Sequence, residues 1–253
     1  ARAFRGRCAL VTGGARGIGQ SCALALAERC ARVTVLDKDP SVLTVFDGPD
    51  IQGRVCDVKD AQAVRESVAE SVSIFGGLDI LVNNAGIFSA SDEVADMPEE
   101  EWQRSLDINL TGAMHVARES IPYLKLGWDP SVIIVGSKNV PAPGPAAGAY
   151  SVAKAGLTQL ARVLALELAA DGIRVNTVHP NAVFDTAIWT DEVLEGRAAH
   201  YGMSVEDYRK NNLLRQEVTS ADVAAVICAM AGSALRCTTG AQLPVDGGNE
   251  RVL

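Results

Sequence analysis

Tyr150 and Lys154 lie four residues apart, a spacing that sets two side chains on one helix face within reach of each other. A phenol with a reference pKa of about 10 is a poor base near neutrality, but an adjacent ammonium favours its phenolate and lowers that pKa. The pair could therefore move a proton to or from an alcohol or carbonyl oxygen. Ser137, 13 residues before Tyr150 and just beyond a β-branched run, could hydrogen-bond the same oxygen. A small hydroxyl ending a strand is its plainer reading. Such pairs occur by chance in many helices, so their setting decides.

A second kind of chemistry opens the chain. Thr12-Gly13-Gly14-Ala15-Arg16-Gly17-Ile18-Gly19 follows a strand-like run and leads directly into a helical pattern. Glycines there allow a tight turn, let backbone approach a pyrophosphate and pack helix on strand, while the helix start offers free N–H groups and partial positive charge. Asp37 follows the second strand, 24 residues beyond Gly13, where a carboxylate can accept both ribose hydroxyls of an adenine dinucleotide and repel a 2'-phosphate. Arg16 pulls toward that phosphate. A carboxylate facing a phosphate costs more than a solvated arginine gains, so Asp37 decides for NAD over NADP. Asp57, in Cys56-Asp57-Val58, suits either the adenine ring or the cap of a helix beginning near Ala61.

These residues need a scaffold. Cys8–Thr12, Val33–Leu36, Gln52–Val55, Ile80–Asn83, Val132–Val135, Val175–His179 and Gln242–Val245 read as buried strands. Helices fit Ile18–Ala31, Ala61–Phe75, Pro98–Tyr123, Tyr150–Ala170 and Ser220–Ala231. The alternation predicts one α/β Rossmann domain over 1–253, doubly wound, with a mainly parallel seven-stranded sheet and helices on both faces. The helix beginning at Tyr150 is apolar over far more than one stripe, which predicts a second copy as its cover and hence a homo-oligomer, dimer or tetramer.

Composition narrows the classes. With 253 residues, 48% hydrophobic, a net charge of −8 and no Lys/Arg run, the chain is globular and lacks the clustered positive charge that nucleic acid or an anionic membrane surface requires. No apolar stretch approaches the roughly 20 residues needed to span a bilayer. The apolar run after the basic start is five residues long and stops at Gly13 and Gly14, too short for a secretory signal. Six cysteines without a C-x-x-C pair and only three histidines predict reduced thiols, no metal site and a cytoplasmic setting.

The motifs taken together resemble the short-chain dehydrogenase/reductase family over essentially the whole length. The likeness rests on Thr12 to Gly19, Asn83-Asn84-Ala85-Gly86, Asn109-Leu110-Thr111-Gly112, Ser137 with Tyr150-Ser151-Val152-Ala153-Lys154, and Val245-Asp246-Gly247-Gly248. It implies an NAD(P)-dependent oxidoreductase with Asn109, Ser137, Tyr150 and Lys154 as catalytic residues. It further implies cofactor contacts from Gly13, Arg16, Gly17, Ile18, Gly19, Asp37, Asp57, Val58, Asn84, Ala85, Gly86, Tyr150, Lys154, Pro180 and Val183. In the implied mechanism Tyr150 takes the substrate hydroxyl proton as hydride leaves the same carbon for the nicotinamide, and Ser137 orients the oxygen. Lys154 lowers the Tyr150 pKa and holds the ribose, and Asn109 keeps a water that passes protons from Lys154 to solvent.

The sequence departs from the family where a Pro-Gly pair is usual and reads His179-Pro180-Asn181-Ala182-Val183-Phe184-Asp185-Thr186. Asn181 can adopt the positive φ that glycine would supply, and Thr186 is the candidate for a nicotinamide contact. A narrower likeness, to the dehydrogenase half of bifunctional aldolase/dehydrogenases of deoxy-sugar breakdown, rests on Gly136-Ser137-Lys138-Asn139 and on the stretch from Asn181 through Ile188-Trp189 to Tyr208-Arg209-Lys210 and Leu213-Leu214. It implies small hydroxylated substrates and leaves open an excised domain or a free-standing relative. The insert at about 181–212 is then the substrate loop, with Ser137, Asn139, Tyr150 and Trp189 as substrate contacts and Phe184, Tyr201 and His179 as further candidates. Three functions compete: an NAD-dependent enzyme acting on a secondary alcohol or its carbonyl partner, an NADPH-dependent ketoacyl reductase, and a dinucleotide-sensing module without turnover.

Overall fold

Strands buried on both faces read as unbroken apolar runs, because each successive side chain meets a different layer of helices. The computed structural model, which describes residues 3–89 and 91–249, shows this division strand by strand. Val11, Val33, Val35, Ile80, Val82, Ile133 and Val135 share one core with α1 (Gly17–Glu28) and α8 (Ser220–Ala231). Their neighbours Leu10, Leu36, Leu81, Val132 and Ile134 share the other with α2 (Ala61–Phe75), α4 (Gly112–Leu124) and α5 (Gly148–Glu167).

The seven strands are β1 (Cys8–Thr12), β2 (Arg32–Asp37), β3 (Ile51–Val55), β4 (Ile80–Asn83), β5 (Ser131–Val135), β6 (Arg174–Pro180) and β7 (Gln242–Val245). They lie in the order β3-β2-β1-β4-β5-β6-β7, and every pairing is parallel. The chain runs outward from β1 through β2 and β3, then returns to place β4 on the other flank of β1. That reversal opens a crevice at the carboxyl ends of β1 and β4, where open α/β sheets bind ligands. The doubly wound Rossmann arrangement expected from the alternation of elements is the one found.

Helix limits differ in instructive ways. α1 ends at Glu28, and Cys30 takes a positive φ of 69°, closing the helix three residues earlier than its apolar pattern suggests. The single helix expected over 98–123 is two, α3 (Glu99–Leu106) and α4, joined by a π-helical turn at Asp107–Thr111 in which the Gly112 N–H reaches back to Asp107 O. Such wide turns are frequent at functional sites. α5 begins two residues before Tyr150, so Tyr150 stands in its first turn. The insert also folds: Thr190 caps α6 (Asp191–His200) and Ser204 caps α7 (Val205–Arg209). Among the described residues no helix is long and apolar enough to cross a membrane.

Candidate active site

One cavity of about 1110 Å³ runs along the carboxyl edge of the sheet, from Asp37 at one end to Trp189 and Tyr208 at the other. At the first end short side chains bind backbone to backbone. Asn84 Nδ2 donates to Thr12 O and Gly13 O, both at 2.9 Å, while Thr12 Oγ1 accepts from Asn84 N at 3.0 Å and Ala85 N at 2.9 Å. Gly13 has a φ of +66°, and a Cβ on it would lie 2.7 Å from Ala85 Cα. A Cβ on Gly19 would collide with Gly13 O. Arg16 caps α1 without a side-chain hydrogen bond, so the first N–H groups of that helix have no side-chain acceptor. A surface of bare backbone at a helix N-terminus suits a pyrophosphate. Gly13, Arg16, Gly17 and Ile18 line the cavity; Gly19 is buried behind them.

Asp37 ends β2 with Oδ2 accepting from Ala15 N and Oδ1 from Asp39 N, both at 2.9 Å. Each carboxylate oxygen keeps acceptor capacity beyond those bonds, and the side chain faces the cavity. Arg16 Nη2 donates to Asp39 Oδ2 at 2.8 Å, which turns the guanidinium toward a second carboxylate at the end of β2. Backbone and side-chain hydrogen bonds from Ser41, with Arg16 adding charge, hold the Asp39 carboxyl below its usual range. Asp57 and Val58 line the cavity, and the cap of α2 is Asp60 instead, accepting from Gln62 N and Ala63 N. The capping alternative for Asp57 therefore falls.

Midway, Ser137, Tyr150 and Lys154 come together. Ser137 hydrogen-bonds the Tyr150 phenol, and Lys154 Nζ stands 5.8 Å from the Tyr150 ring centre. The Phe88 ring packs 4.9 Å from the Tyr150 ring, a neighbour that no sequence pattern marked. Lys154 is 3% exposed, and its Nζ donates to Val135 O at 2.9 Å. Burial lowers its pKa to about 8. The expectation that this ammonium sets the Tyr150 pKa needs correction. Tyr150 keeps an edge on the cavity, yet dehydration is the largest effect and pushes the phenol above its ordinary value, with the Ser137 hydrogen bond pulling it partway back. The first-turn position in α5 adds a helix-dipole preference for the phenolate.

Asn109 occupies the π turn, and its side chain is fully engaged there. Oδ1 accepts from Ile87 N at 3.0 Å; Nδ2 donates to Ile87 O at 3.1 Å and to Ser105 Oγ at 3.2 Å. A Cβ on Gly86 would lie 2.7 Å from Asn109 Oδ1 and 3.3 Å from Lys154 Nζ, so the bare backbone at Gly86 brings Asn109 beside Lys154.

His179 stands behind Ser137. Its Nδ1 lies 3.1 Å from Ser137 N and 2.9 Å from Ser137 O, and its Nε2 lies 3.0 Å from the Gln242 amide. Two arrangements compete. Arg162 Nε and Nη2 approach the other end of that amide to 2.9 Å, and a guanidinium only donates, which favours the amide oxygen toward Arg162 and a proton on His179 Nδ1. The buried Ser137 N–H needs Nδ1 as acceptor, whereas Ser137 O already accepts from Val140 N at 3.1 Å. An orphaned buried amide costs about 1–3 kcal/mol. Arg162 is exposed and can turn its donors to water instead. The backbone prevails: Ser137 N–H donates to Nδ1, and Nε2–H donates to Gln242 Oε1. Burial also holds the His179 pKa below its ordinary value, with Lys154 and Arg162 adding to the effect.

At the far end the insert closes over the cavity. Its base is pinned by a bridge between Val183 and Val218 and by Asp185, whose carboxylate accepts from Ser220 N and Ser220 Oγ. Trp189 packs 4.8 Å from Phe184 and 6.2 Å from Tyr208, and Tyr208 stacks on Tyr201 at 5.8 Å. Trp189, Tyr201, Phe184 and Asn139 all line the cavity, as do Arg197, His200 and Tyr208, which sequence reasoning had not assigned to it. Asn139 N donates to Ser137 Oγ at 3.2 Å. His179 is 4% exposed and faces Ser137 rather than the cavity, so it is no substrate contact. The turn after β6 also differs from expectation: the positive φ falls on Ala182, at 53°, and not on Asn181. An alanine there stores about 1–3 kcal/mol of strain. Pro180, Val183 and Thr186 line the cavity, and Thr186 stands across from Gly17, where a Cβ would lie 3.3 Å from Thr186 Cγ2.

Comparison with known proteins agrees with this geometry. A family model described as "Enoyl-(Acyl carrier protein) reductase" matches residues 13–250. The "Uncharacterized oxidoreductase YuxG" of Bacillus subtilis is 36% identical over 97% of this chain, which spans only 37% of that longer protein. The "(-)-trans-carveol dehydrogenase" of Rhodococcus erythropolis is 33% identical, with 96% of this chain and 97% of that one covered. Among solved structures, a 3-ketoacyl-(acyl-carrier-protein) reductase from Brucella melitensis complexed with NADH superposes with a TM-score of 0.87 at 26% identity, covering 98% of this chain and 99% of that one. None of these three names an aldolase, so the narrower likeness to an aldolase-linked dehydrogenase gains no support from them.

Proposed function

Because the chain belongs to the short-chain dehydrogenase/reductase family, an oxidoreductase family acting on CH–OH groups, we propose that it oxidises a small hydroxylated secondary alcohol, or reduces the matching carbonyl, with NAD(H). The observation that carries the reading is the Ser137–Tyr150–Lys154 cluster opening on the same cavity as the bare glycine turn and Asp37. The fit for a dinucleotide rests on that turn, where Gly13, Arg16, Gly17 and Ile18 line the cavity at the start of α1 and a Cβ at Gly17 would reach to 3.3 Å from Thr186 across it. Bound NAD supplies the hydride acceptor.

The chain's own residues handle the proton. Tyr150 takes it from the substrate hydroxyl, and Ser137 orients the reacting oxygen. Lys154 holds positive charge beside the phenolate, and Asn109 shapes the route from Lys154 outward. Asp37 accepts the ribose hydroxyls while Asp39 keeps Arg16 from a 2'-phosphate. The NADPH-dependent ketoacyl reductase reading needs a cation there, and Lys38 lines the cavity one place after Asp37; the Asp37 carboxylate on the same rim weighs against a 2'-phosphate. A sensing module needs no dehydrated phenol–lysine pair. Asn139 and Trp189 take the substrate's remaining groups.

α4 and α5 leave an apolar groove lined by Met114, Ala117, Ile121, Pro122, Leu160 and Leu164, with Leu166 82% exposed beside it. A second copy of the chain covers this face in our reading, giving a dimer or tetramer, and sedimentation at micromolar concentration tests it. For the activity, absorbance of NADH is followed with a panel of polyols, hydroxy aldehydes and ketones, each with NAD and NADP. Turnover with a small polyol or hydroxy aldehyde and NAD supports the proposal. Turnover confined to ketoacyl thioesters with NADPH, or none with any alcohol, overturns it.

A further inference from the structure

The proposed reaction depends on where the Ser137 hydroxyl stands, and the Ser137 peptide is fixed by one side chain from the neighbouring strand. Gly136 N and Lys138 N bond to Val178 O at 2.8 Å and Pro180 O at 3.2 Å, but Ser137 N donates to His179 Nδ1 at 3.1 Å. The imidazole is buried and anchored at its other end by Gln242 on β7, 3.0 Å from Nε2. The contact is close enough to restrict its surroundings: a Cβ at Gly136 would sit 2.6 Å from Nδ1. On the cavity side Ser137 Oγ accepts from Asn139 N at 3.2 Å and meets the Tyr150 phenol. Peptide and hydroxyl are thus held from opposite sides by groups on two strands, a loop and a helix.

We propose that His179 is a positioning residue for the Ser137–Tyr150 pair: as the neutral Nε2–H tautomer, anchored by Gln242, it accepts the Ser137 N–H and fixes the angle at which the serine hydroxyl reaches the phenol. An imidazole suits the task because it is rigid and presents an acceptor and a donor at opposite ends, so one side chain links β7 to the catalytic turn. The inference rests on the reading of Ser137 and Tyr150 as the reacting pair, and its first test is independent of turnover.

With 15N-labelled histidine, the imidazole spectrum of the whole protein at pH 7.5 should show an unprotonated Nδ1 and a protonated Nε2 for the signal lost in His179→Asn. A protonated Nδ1 overturns the proposal whatever the activity. The second test uses kinetics. His179→Gln and His179→Ala remove the acceptor at the δ position and should lower kcat about 30-fold, with KM for NAD changed less than about 2-fold, as a misplaced catalytic group does. Asn places an oxygen where Nδ1 stands, so His179→Asn should recover most of the loss. Thermal melts of all three variants separate misfolding from misplacement. Equal kcat in the Asn and Gln variants at matched stability, or loss carried in KM for NAD instead of kcat, would refute the assignment. Absence of turnover in the parent protein would instead count against the proposed function and leave the tautomer measurement to decide this point.

Discussion

The glycine-turn end of the cavity and the insert end are built by opposite means. At the first, short polar side chains bonded to backbone hold the glycine turn in place: Thr12, Asn84 and Asp37 each tie two loops together. At the second, rings pack on rings, with Phe184, Trp189 and Tyr208 in mutual contact, Tyr201 stacked on Tyr208, and Arg197 and His200 also lining the cavity. Backbone geometry tolerates few residue types, because a positive φ or a missing Cβ singles out glycine. Aromatic packing tolerates many. In the proposed function the first end serves the dinucleotide, and the second is free to vary with the substrate.

Between the ends lies the cluster whose loss should matter most. Tyr150→Phe keeps the ring beside Phe88 and removes only the proton-carrying oxygen. General acid–base groups contribute about 10²–10⁴-fold, so turnover should fall at least 10³-fold while NADH affinity, measured by fluorescence, stays within about 2-fold. Affinity lost together with turnover would mean that the two ends are not separable. The protonation states add a direction. Burial raises the Tyr150 pKa, so oxidation, which needs the phenolate, should quicken as pH rises from 7 toward 10, and reduction should slow.

Lys154 shows what this cluster costs the fold. Its pKa, lowered from 10.5 to about 8 by burial, corresponds to a cost on the order of 3 kcal/mol for keeping the ammonium charged. The unfolded chain binds the extra proton between those values, so that cost is fully present below pH 8 and fades as pH rises toward 10.5. Lys154→Met should abolish turnover yet stabilise the protein at pH 7 by about 1–3 kcal/mol, after allowance for the lost bond to Val135 O. The gain should shrink toward pH 10 in denaturant titrations. A destabilised variant at pH 7 would place the group's main role in the fold.

The contrast between the ends also explains what could be read in the amino-acid sequence. Seven strands, their parallel direction and the glycine turn were legible because buried strands demand β-branched runs and the turn demands glycine. Ser137, Tyr150 and Lys154 were legible through the family motif, and the structure brings them together. Phe88 and the Arg16–Asp39 pair were not, since each depends on which side chain a distant element presents. The positive φ at Ala182 was assigned to Asn181 because residue preference, about 1 kcal/mol, yields to the path set by the strand before it and the insert after it. Helix limits missed by two or three residues for the same reason.

At the glycine-turn end the expected effects are smaller than at the cluster. Asp37→Ala removes an acceptor and a repulsive charge together, so kcat/KM with NAD should fall about 10-fold while the value with NADP holds or rises. Asp39→Asn leaves Asp37 in place and releases Arg16 from its 2.8 Å ion pair, which should raise kcat/KM with NADP a few-fold. If Asp39→Asn changes neither cofactor, Arg16 has no part in selection.

Trp189→Ala probes the insert end and should give the smallest change in anything but the substrate. The ring shares its contacts with Phe184 and Tyr208, and an aromatic pair adds about 0.5–1.5 kcal/mol beyond burial. The insert should loosen without unfolding the sheet, because its base is held separately by Asp185 and the Val183–Val218 bridge. NADH affinity and global stability should move little, and KM for the substrate should rise about 3- to 10-fold with kcat nearly constant. A matching rise in the NADH dissociation constant would show that the insert also clamps the cofactor, and the division between a backbone-built end and a ring-built end would have to be redrawn with Thr186 on both sides of it.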